Sequence, residues 1–405
     1  MPNRGTPAPL GREGDNLYTS SIVAVHADTG EYAWHYQETP EDRWDLDSNA
    51  QITVAELVLD GKQRRVVVHA PKNGFLYVLD ASTGQFISAG QIGPQNWAIG
   101  IDPTTGRATI NPEARYERTG KLFMGMPGGA GTHSWPPMSY SPKTGLVYIP
   151  AVFSAYPFAV EKGWKESAMG NQTAADYAYL DMPSDGAASD LPNSGALLAW
   201  DPVNQKEAWR VEREVPLSGG TLATAGNLVF QGTPPSDFTA YRADTGEKLW
   251  SFALQTTAAA GPMSYAVDGE QYVAILAGWG GTAPNRSRLL VFKLGGKAKL
   301  PPVPVEETMK PIDPPRFTGT PGQVARGGNL YARYCLVCHM GMFNNPVLTQ
   351  SPVLHNPDTM EAIVIDGALK HNGMASFSPV LNGQDVEAIR QYVVKRANDG
   401  RGKAR

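Results

Sequence analysis

The sequence predicts a mainly β chain that ends in a small all-α domain. Short segments of alternating apolar and polar residues, joined by turns that contain glycine, recur from the start to about residue 296. The composition agrees with this, since 43 glycines, 33 prolines and 16 tyrosines favour many turns and aromatic-rich strands. From about residue 323 the apolar residues take up helical spacing, which predicts a second domain made of helices.

The strand segments repeat one strand–turn–strand unit. Its clearest copy, residues 22–34, enters a tight turn at Asp28, Thr29 and Gly30 and closes on Trp34. Related copies lie at residues 76–87, 140–149, 196–209, 238–250 and 265–273. Repeats spaced roughly 40 to 60 residues apart, whose strands cannot bury both faces alone, are typical of a β-propeller, and about five or six blades' worth of strands can be counted. We expect Trp34, Trp209 and Trp250 to pack between neighbouring blades.

A proline-rich stretch separates the two predicted domains. Residues 297–322 have no periodic apolar pattern and are predicted to form a linker, so the domains are expected at 1–296 and 323–405. Helical patterns then follow at residues 324–334, 359–366 and 383–396. This order of helices around a Cys-x-x-Cys-His motif suits a small class I cytochrome c domain.

The motif from Cys335 to His339 predicts a covalently attached haem. Thiols at Cys335 and Cys338 have the spacing that adds to the two vinyl groups of one haem, while the His339 imidazole reaches its iron. A zinc site is the alternative, and it would need further ligands that His355 and His371 supply only loosely. The distal iron ligand is predicted to be Met374, because class I cytochromes place their thioether before the final helix. The competing candidates are Met340, Met342, Met360 and His371.

Charge and hydropathy exclude several classes of function. Charged residues are 18% of the chain and the net charge is −4, so no basic stripe indicates a nucleic-acid partner. The sequence contains no apolar run of about eighteen residues, so it predicts no membrane-spanning helix. The first residues lack the apolar core of a secretory signal, whereas covalent haem is normally attached outside the cytoplasm. We therefore expect a mature or N-terminally truncated chain of a periplasmic protein.

Several segments, in a consistent order along nearly the whole chain, resemble one enzyme family. The segments are Gly14-Asp15-Asn16-Leu17-Tyr18, residues 29–40, Trp44-Asp45, Ala70-Pro71-Lys72-Asn73-Gly74, Gly219-Gly220-Thr221-Leu222, Gly278-Trp279-Gly280-Gly281 and Cys335-Leu336-Val337-Cys338-His339. Together they resemble the C-terminal portion of the quinohaemoprotein alcohol dehydrogenases. In that family an eight-bladed propeller that binds pyrroloquinoline quinone (PQQ) is joined through a proline-rich linker to a cytochrome c domain.

The resemblance implies an incomplete ring. The chain would form about half to two-thirds of the eight blades, followed by the cytochrome c domain. The first half of the family's propeller supplies a metal-binding glutamate, a ring of two adjacent cysteines and a tryptophan, and none of these is found in this sequence. We therefore expect a C-terminal portion, or one half of a split enzyme.

The resemblance also implies a set of site residues. Asp45 matches the family's catalytic aspartate, and Lys72 matches the family's positively charged side chain that hydrogen-bonds the quinone oxygens. Asn73, Trp135 and Trp279 are further expected PQQ contacts.

A metal ion beside the quinone is implied as well. Asp45, Asp47 and Asn3 are its expected ligands. The ion would be calcium or a lanthanide, because an additional anionic oxygen at Asp47 favours the higher charge. Asp47 could equally be a solvated turn residue.

The leading hypothesis is a PQQ-dependent alcohol dehydrogenase. It would oxidise an alcohol to an aldehyde and pass electrons to haem c and on to an external acceptor, a small redox protein or a quinone. One alternative is a truncated, non-catalytic fragment whose cytochrome c domain transfers electrons. Another is a propeller dehydrogenase that acts on a sugar or other substrate.

Overall fold

The computed structural model describes residues 14–160, 169, 192–216, 218–278, 287–302, 313–339 and 347–403. These residues fall into two compact units. Every strand in the described part of the chain belongs to the first unit, which ends at Leu300, and the longer helices belong to the second unit, which includes residues 301–405. Among the described residues, no helix combines the length and apolar character needed to cross a bilayer.

The described residues of the first unit form seven antiparallel sheets. Three of them are four-stranded. The first consists of β3 (Thr53–Leu59), β4 (Lys62–His69), β5 (Phe75–Asp80) and β6 (Phe86–Gln91), and the second of β10 (Ser139–Ser141), β11 (Leu146–Ser154), β13 (Asn193–Asp201) and β14 (Lys206–Arg213). The third consists of β15 (Thr221–Thr224), β16 (Leu228–Thr233), β17 (Asp237–Arg242) and β18 (Lys248–Ala253). One is three-stranded: β19 (Met263–Val267), β20 (Glu270–Ala277) and β21 (Arg288–Lys293). The others pair β1 (Ser21–Val25) with β2 (Tyr32–Gln37), β7 (Ala98–Ile101) with β8 (Ala108–Ile110), and β9 (Phe123–Gly125) with β12 (Tyr156–Phe158).

The larger sheets are arranged as propeller blades. Their strands follow one another in chain order, and the first strands of successive sheets are in contact, β3 with β10, β10 with β15, and β15 with β19. First strands that line a common axis are the defining feature of a propeller. A short helix, α1 (Tyr116–Thr119), follows a 3₁₀ turn at Pro112–Ala114 between the smaller sheets.

The repeated turn motif works through local hydrogen bonds and packing. In the β5–β6 turn, the Asp80 carboxylate accepts hydrogen bonds from the Ser82 and Thr83 amides, and Gly84 takes a left-handed φ of +72°. The indole of Trp34 covers this glycine so closely that a Cβ atom there would lie 2.3 Å from the ring. The predicted packing of the repeat tryptophan between neighbouring blades is therefore confirmed for Trp34. Trp250 is less enclosed, with 39% of its surface exposed.

The second unit is helical and has its own core. Its helices are α2 (Pro321–Tyr334), α3 (Leu336–His339), α4 (Pro357–Val364) and α5 (Gly383–Lys403), with 3₁₀ turns at Leu348–Gln350, Pro352–His355 and Lys370–Asn372. Thr320 begins α2 with a capping box, in which its hydroxyl accepts from the Gln323 amide and the Gln323 side chain accepts from the Thr320 amide. The three predicted helices are confirmed. The exact domain boundaries stay a prediction.

The crossing of α2 and α5 depends on a glycine, which gives a first testable prediction. A Cβ atom on Gly327 would lie 2.0 Å from the carbonyl oxygen of Ala388, a backbone atom that cannot rotate away. We expect Gly327→Ala to lower the free energy of unfolding of this unit by about 1–3 kcal/mol or more, as overpacking does. Thermal unfolding followed by helical circular dichroism measures this.

Gly322 provides the matched control for Gly327. It lies in the same helix, and its Cβ atom would meet nothing nearer than the Thr320 hydroxyl at 4.0 Å. Gly322→Ala should leave stability unchanged or raise it by up to about 1 kcal/mol. Equal melting temperatures for the two variants would contradict the predicted clash.

Candidate active site

The candidate site is built on the loop between β2 and β3. This loop has no regular secondary structure, yet Glu38, Asp42, Trp44 and Leu46 are each at most 2% exposed. Buried loop backbone needs internal hydrogen-bond partners. The Trp44 indole helps to hold the loop in place, because its Nε1 donates a hydrogen bond to the Ala114 carbonyl oxygen at 2.9 Å.

Asp45 and Asp47 converge on Lys72, which comes from the segment between β4 and β5. The Lys72 Nζ lies 3.4 Å from Asp45 Oδ2, 3.2 Å from the Asp45 carbonyl oxygen and 2.5 Å from Asp47 Oδ1. Asp45 and Lys72 are 9% and 7% exposed, so this charge cluster is largely withdrawn from water. Low solvent exposure strengthens the interaction of such charges with each other and with a bound ligand.

The donor set of this cluster fits a hard cation. Asp47 Oδ1 is buried and makes no aligned hydrogen bond, although it forms the ion pair with Lys72. A carboxylate oxygen in that state retains coordination capacity, and carboxylates are the ligands that calcium and similar hard cations prefer. Within the described ranges, no group of three or more His, Cys, Asp or Glu side chains forms a complete metal site. Asn3, the third expected ligand, lies outside the described residues.

Asn73 follows Lys72 in the chain and is fully buried. Its Nδ2 donates to the Glu38 carbonyl oxygen at 3.2 Å and to the Tyr77 hydroxyl at 2.9 Å. Its Oδ1 accepts from the Phe75 amide at 3.1 Å. The Asn73 side chain therefore ties the site loop to β5.

A buried ion pair that the sequence did not indicate supports the same loop. His69 Nδ1 lies 2.7 Å from Glu38 Oε1, and the Ser48 hydroxyl donates to Glu38 Oε2 at 2.5 Å. Burial lowers the pKa of His69, but the Glu38 carboxylate more than offsets this, so the pKa is raised overall. Glu38 and His69 are 31 residues apart, so no local spacing could reveal the pair.

The loop after β9 packs behind Lys72 and carries Trp135. His133 ring nitrogens lie 2.5 Å from the Ala70 carbonyl oxygen and 2.9 Å from that of Pro136, and burial lowers the pKa of His133 to about 4. Trp135 itself is 51% exposed. Trp279, the other expected aromatic contact, lies outside the described residues.

Gly131 forms the wall against which the Lys72 side chain rests, and this gives a second prediction. It has a φ of +75°, and a Cβ atom there would lie 2.4 Å from Lys72 Cβ. We expect Gly131→Ala to lower the free energy of unfolding of the first unit by about 2–4 kcal/mol, since left-handed strain adds to overpacking. Eight of the nine tryptophans lie in the first unit and none lies in residues 301–405, so tryptophan fluorescence during urea unfolding reports mainly on the first unit.

Gly120 is the control that separates the backbone strain expected in Gly131→Ala from its steric clash with Lys72. Its φ is +65°, and a Cβ atom there would have no neighbour within 4 Å. Gly120→Ala should therefore lose only the conformational contribution, about 1 kcal/mol. Equal losses in the two variants would show that Gly131 does not brace Lys72.

The haem motif lies at the junction of α2 and α3. The Cys335 amide donates to the Tyr331 carbonyl oxygen at 2.9 Å, and the His339 amide donates to the Cys335 carbonyl oxygen at 3.0 Å. Cys338 is exposed, whereas burial, followed by the charge of Cys338, raises the pKa of Cys335 to about 12. Met374 and Cys335 pack against the same hydrophobic core. This donor set of two thiols, an imidazole and a thioether fits a covalently bound haem.

The competing methionines are distributed differently. Met360 is 6% exposed and belongs to the interior of the same core. Met340 and Met342 lie outside the described residues. His371 is exposed, in the 3₁₀ turn before Met374.

Comparison with known proteins identifies the family. Residues 10–89 and 191–273 match the β-propeller domain of glucose, ethanol and alcohol dehydrogenases. Residues 322–393 match the family described as subunit III of cbb3-type cytochrome c oxidase. The chain is 46% identical to quinohemoprotein alcohol dehydrogenase ADH IIB of Pseudomonas putida, over 97% of this chain and 58% of that protein. The chain belongs to the quinohaemoprotein alcohol dehydrogenase family.

Solved structures agree with this assignment. Quinohemoprotein alcohol dehydrogenase ADHIIG of Pseudomonas putida HK5 has a TM-score of 0.85 and 39% identity, covering 96% of this chain and 59% of that one. A europium-containing methanol dehydrogenase has a TM-score of 0.58 and 30% identity, covering 67% of this chain and 46% of that one. The predicted combination of a propeller with a cytochrome c domain is confirmed, and the domain types support PQQ and haem c as cofactors. The chain spans just over half the length of these quinohaemoprotein relatives.

Proposed function

We propose that this quinohaemoprotein chain carries the catalytic base and the electron-accepting haem of a PQQ-dependent alcohol dehydrogenase. The convergence of Asp45, Asp47 and Lys72 in one water-poor cluster is the observation that supports this most directly. Bound PQQ would supply a two-electron acceptor for the carbon that bears the alcohol group. The residues of this chain would bind and orient the reactants and move the proton.

Asp45 would act as the general base. Its carboxylate is largely buried, with 12% of the side chain exposed. In this role it accepts the hydroxyl proton of the alcohol, which a carboxylate can do when it is held within hydrogen-bond reach of that proton. The ordinary products would be an aldehyde and two reducing equivalents.

Lys72 would hold the quinone oxygens. Its ammonium is held by Asp45 and Asp47, and its stem rests against Gly131. A fixed ammonium favours negative charge that develops on a neighbouring oxygen during reduction. Trp135 and Trp279 would contribute ring surfaces, and Asn73 would act by fixing the backbone at Glu38 and Phe75.

Asp45 and Asp47 would be the ligands that this chain gives to a divalent or trivalent cation, together with Asn3. Two carboxylates from one short loop provide more negative charge than one, which favours a lanthanide over calcium. The europium-containing relative supports the same preference. The cation would orient the Asp45 carboxylate and polarise the quinone.

The second unit would receive the electrons. Cys335 and Cys338 would form the thioether bonds, and His339 and Met374 would ligate the iron. In this arrangement residues 1–296 form the propeller portion, 297–322 the linker and 323–405 the cytochrome c domain. Electrons would leave to an external small redox protein or a quinone, in the periplasm.

Reduction of the haem by an alcohol tests the proposal. The haem-loaded chain is incubated with PQQ and either calcium or a lanthanide, and the absorption band of the reduced haem is followed after ethanol or 1-butanol is added. We expect reduction that requires both PQQ and a cation and is fastest with the lanthanide. A haem that dithionite reduces but no alcohol reduces would reject the dehydrogenase and support electron transfer alone.

A further inference from the structure

The backbone at Asp45 is in a conformation that needs support. Its φ is +65°, in the left-handed region that residues other than glycine seldom occupy. Such a conformation costs on the order of 1–3 kcal/mol and persists only where the surroundings hold it. From this conformation both the carbonyl oxygen and the carboxylate of Asp45 face the Lys72 ammonium.

Asp42 bonds the backbone on both sides of Asp45. Its Oδ1 accepts from the Trp44 amide at 2.9 Å and from the Leu46 amide at 3.2 Å. Its Oδ2 accepts from the Ser20 hydroxyl at 3.2 Å, which anchors the carboxyl to the start of β1. One side chain therefore fixes the orientation of the backbone before and after the proposed base.

We propose that Asp42 is a positioning residue that holds Asp45 in its left-handed conformation and so aims the Asp45 carboxylate at Lys72. The inference rests on the proposed function of Asp45 as the base. Asp42 is a loop residue that is only 2% exposed, so it acts on the reaction through Asp45 and not by contact with substrate. Other hydrogen bonds to this backbone act on one side of Asp45, since the Thr39 hydroxyl donates to the Leu46 carbonyl oxygen and the Tyr116 hydroxyl donates to that of Arg43.

Hydrogen-bond acceptance, and not charge, is the property that this role requires. Burial raises the pKa of Asp42, so its surroundings disfavour the ionised form. An asparagine at position 42 has an amide oxygen that can accept both backbone bonds, and its NH₂ group can donate to the Ser20 hydroxyl. Asp42→Asn should therefore preserve the conformation that Asp42→Ala loses.

Asp102 makes the same kind of contact without a role in the site. Its Oδ1 accepts from the Thr104 and Thr105 amides, both at 2.8 Å, in the exposed turn between β7 and β8. Asp102→Ala therefore removes an equivalent pair of backbone hydrogen bonds. If Asp42 were only a turn residue, Asp42→Ala and Asp102→Ala would behave alike.

Two measurements test the role of Asp42. The first is the rate at which acetic anhydride acetylates Lys72 in the haem-loaded chain without added quinone, read by peptide mass spectrometry. The second is kcat and KM for alcohol-dependent haem reduction with PQQ and a lanthanide. We expect Asp42→Ala to raise the acetylation rate about tenfold and to lower kcat about 100-fold with KM changed less than about threefold, the pattern of a misplaced catalytic group.

The variants should separate clearly. Asp42→Asn and Asp102→Ala should both stay within about threefold of the original protein in both measurements. The proposal is overturned if Asp42→Ala matches Asp102→Ala, or if Asp42→Asn is as impaired as Asp42→Ala. Should the original protein show no alcohol-dependent reduction, the proposed dehydrogenase fails, while the acetylation rates still decide whether Asp42 positions Asp45 against Lys72.

Discussion

Replacing Asp45 with asparagine should lower the rate of alcohol-dependent haem reduction by about 10²–10⁴-fold, the contribution of a general base. Asparagine has nearly the same shape and also tolerates a left-handed φ, so the loop should keep its conformation. Its amide oxygen still accepts a hydrogen bond from Lys72, whose ammonium also keeps Asp47 and the Asp45 carbonyl oxygen. The amide cannot accept the hydroxyl proton, so the chemical step should be lost.

The measurement is the stopped-flow rate of haem reduction after an alcohol is mixed with the fully loaded protein. Asp60→Asn is the matched control, because Asp60 also has a positive φ, +50°, but lies exposed in the turn between β3 and β4. It should react at the original rate, and dithionite should reduce all three proteins equally. Asp45→Asn activity within about threefold of the original would rule out Asp45 as the base.

Replacing Met374 with leucine should lower the reduction potential of the haem by on the order of 100 mV, within the roughly 0.8 V range that axial ligands span. Thioether ligation stabilises the reduced iron, and leucine fills a similar volume without a sulfur atom. Met374 packs against the core that also contacts Cys335, so the substitution should leave the fold intact. Potentiometric titration of the haem absorption band measures the shift, and a lower potential should also slow electron transfer from the propeller domain.

Met360→Leu distinguishes the ligand from a core residue. Met360 is buried in the same core, so its replacement by leucine should change stability by less than about 1.5 kcal/mol and leave the potential unchanged. If Met360→Leu lowers the potential and Met374→Leu does not, the thioether ligand is Met360. If neither variant changes it, the ligand comes from the remaining candidates, Met340, Met342 or His371.

The sequence predicted most where a function depends on neighbouring residues. The haem motif could be read directly, because thioether attachment and proximal ligation need Cys335, Cys338 and His339 within a single turn and a half of helix. The hairpins could be predicted for the same reason, because each turn is formed by contacts between residues two to four positions apart. In the β5–β6 turn these residues are Asp80, whose carboxylate accepts from the chain just after it, and the left-handed Gly84. The positions of Asp45 and Lys72 were expected only through resemblance to a family.

The sequence by itself determined that this protein is a propeller portion followed by a haem-binding helical domain, because strand period, turn chemistry and the Cys-x-x-Cys-His motif are all local. Only the tertiary structure decided that Asp45 and Asp47 meet Lys72, that Asn73 ties the site loop to β5, and that Glu38 pairs with His69. These contacts join segments that the packing of strands brings together. The left-handed backbone at Asp45, bracketed by Asp42, is also a tertiary property, because its conformational strain is sustained by burial and by the hydrogen bonds that surround it.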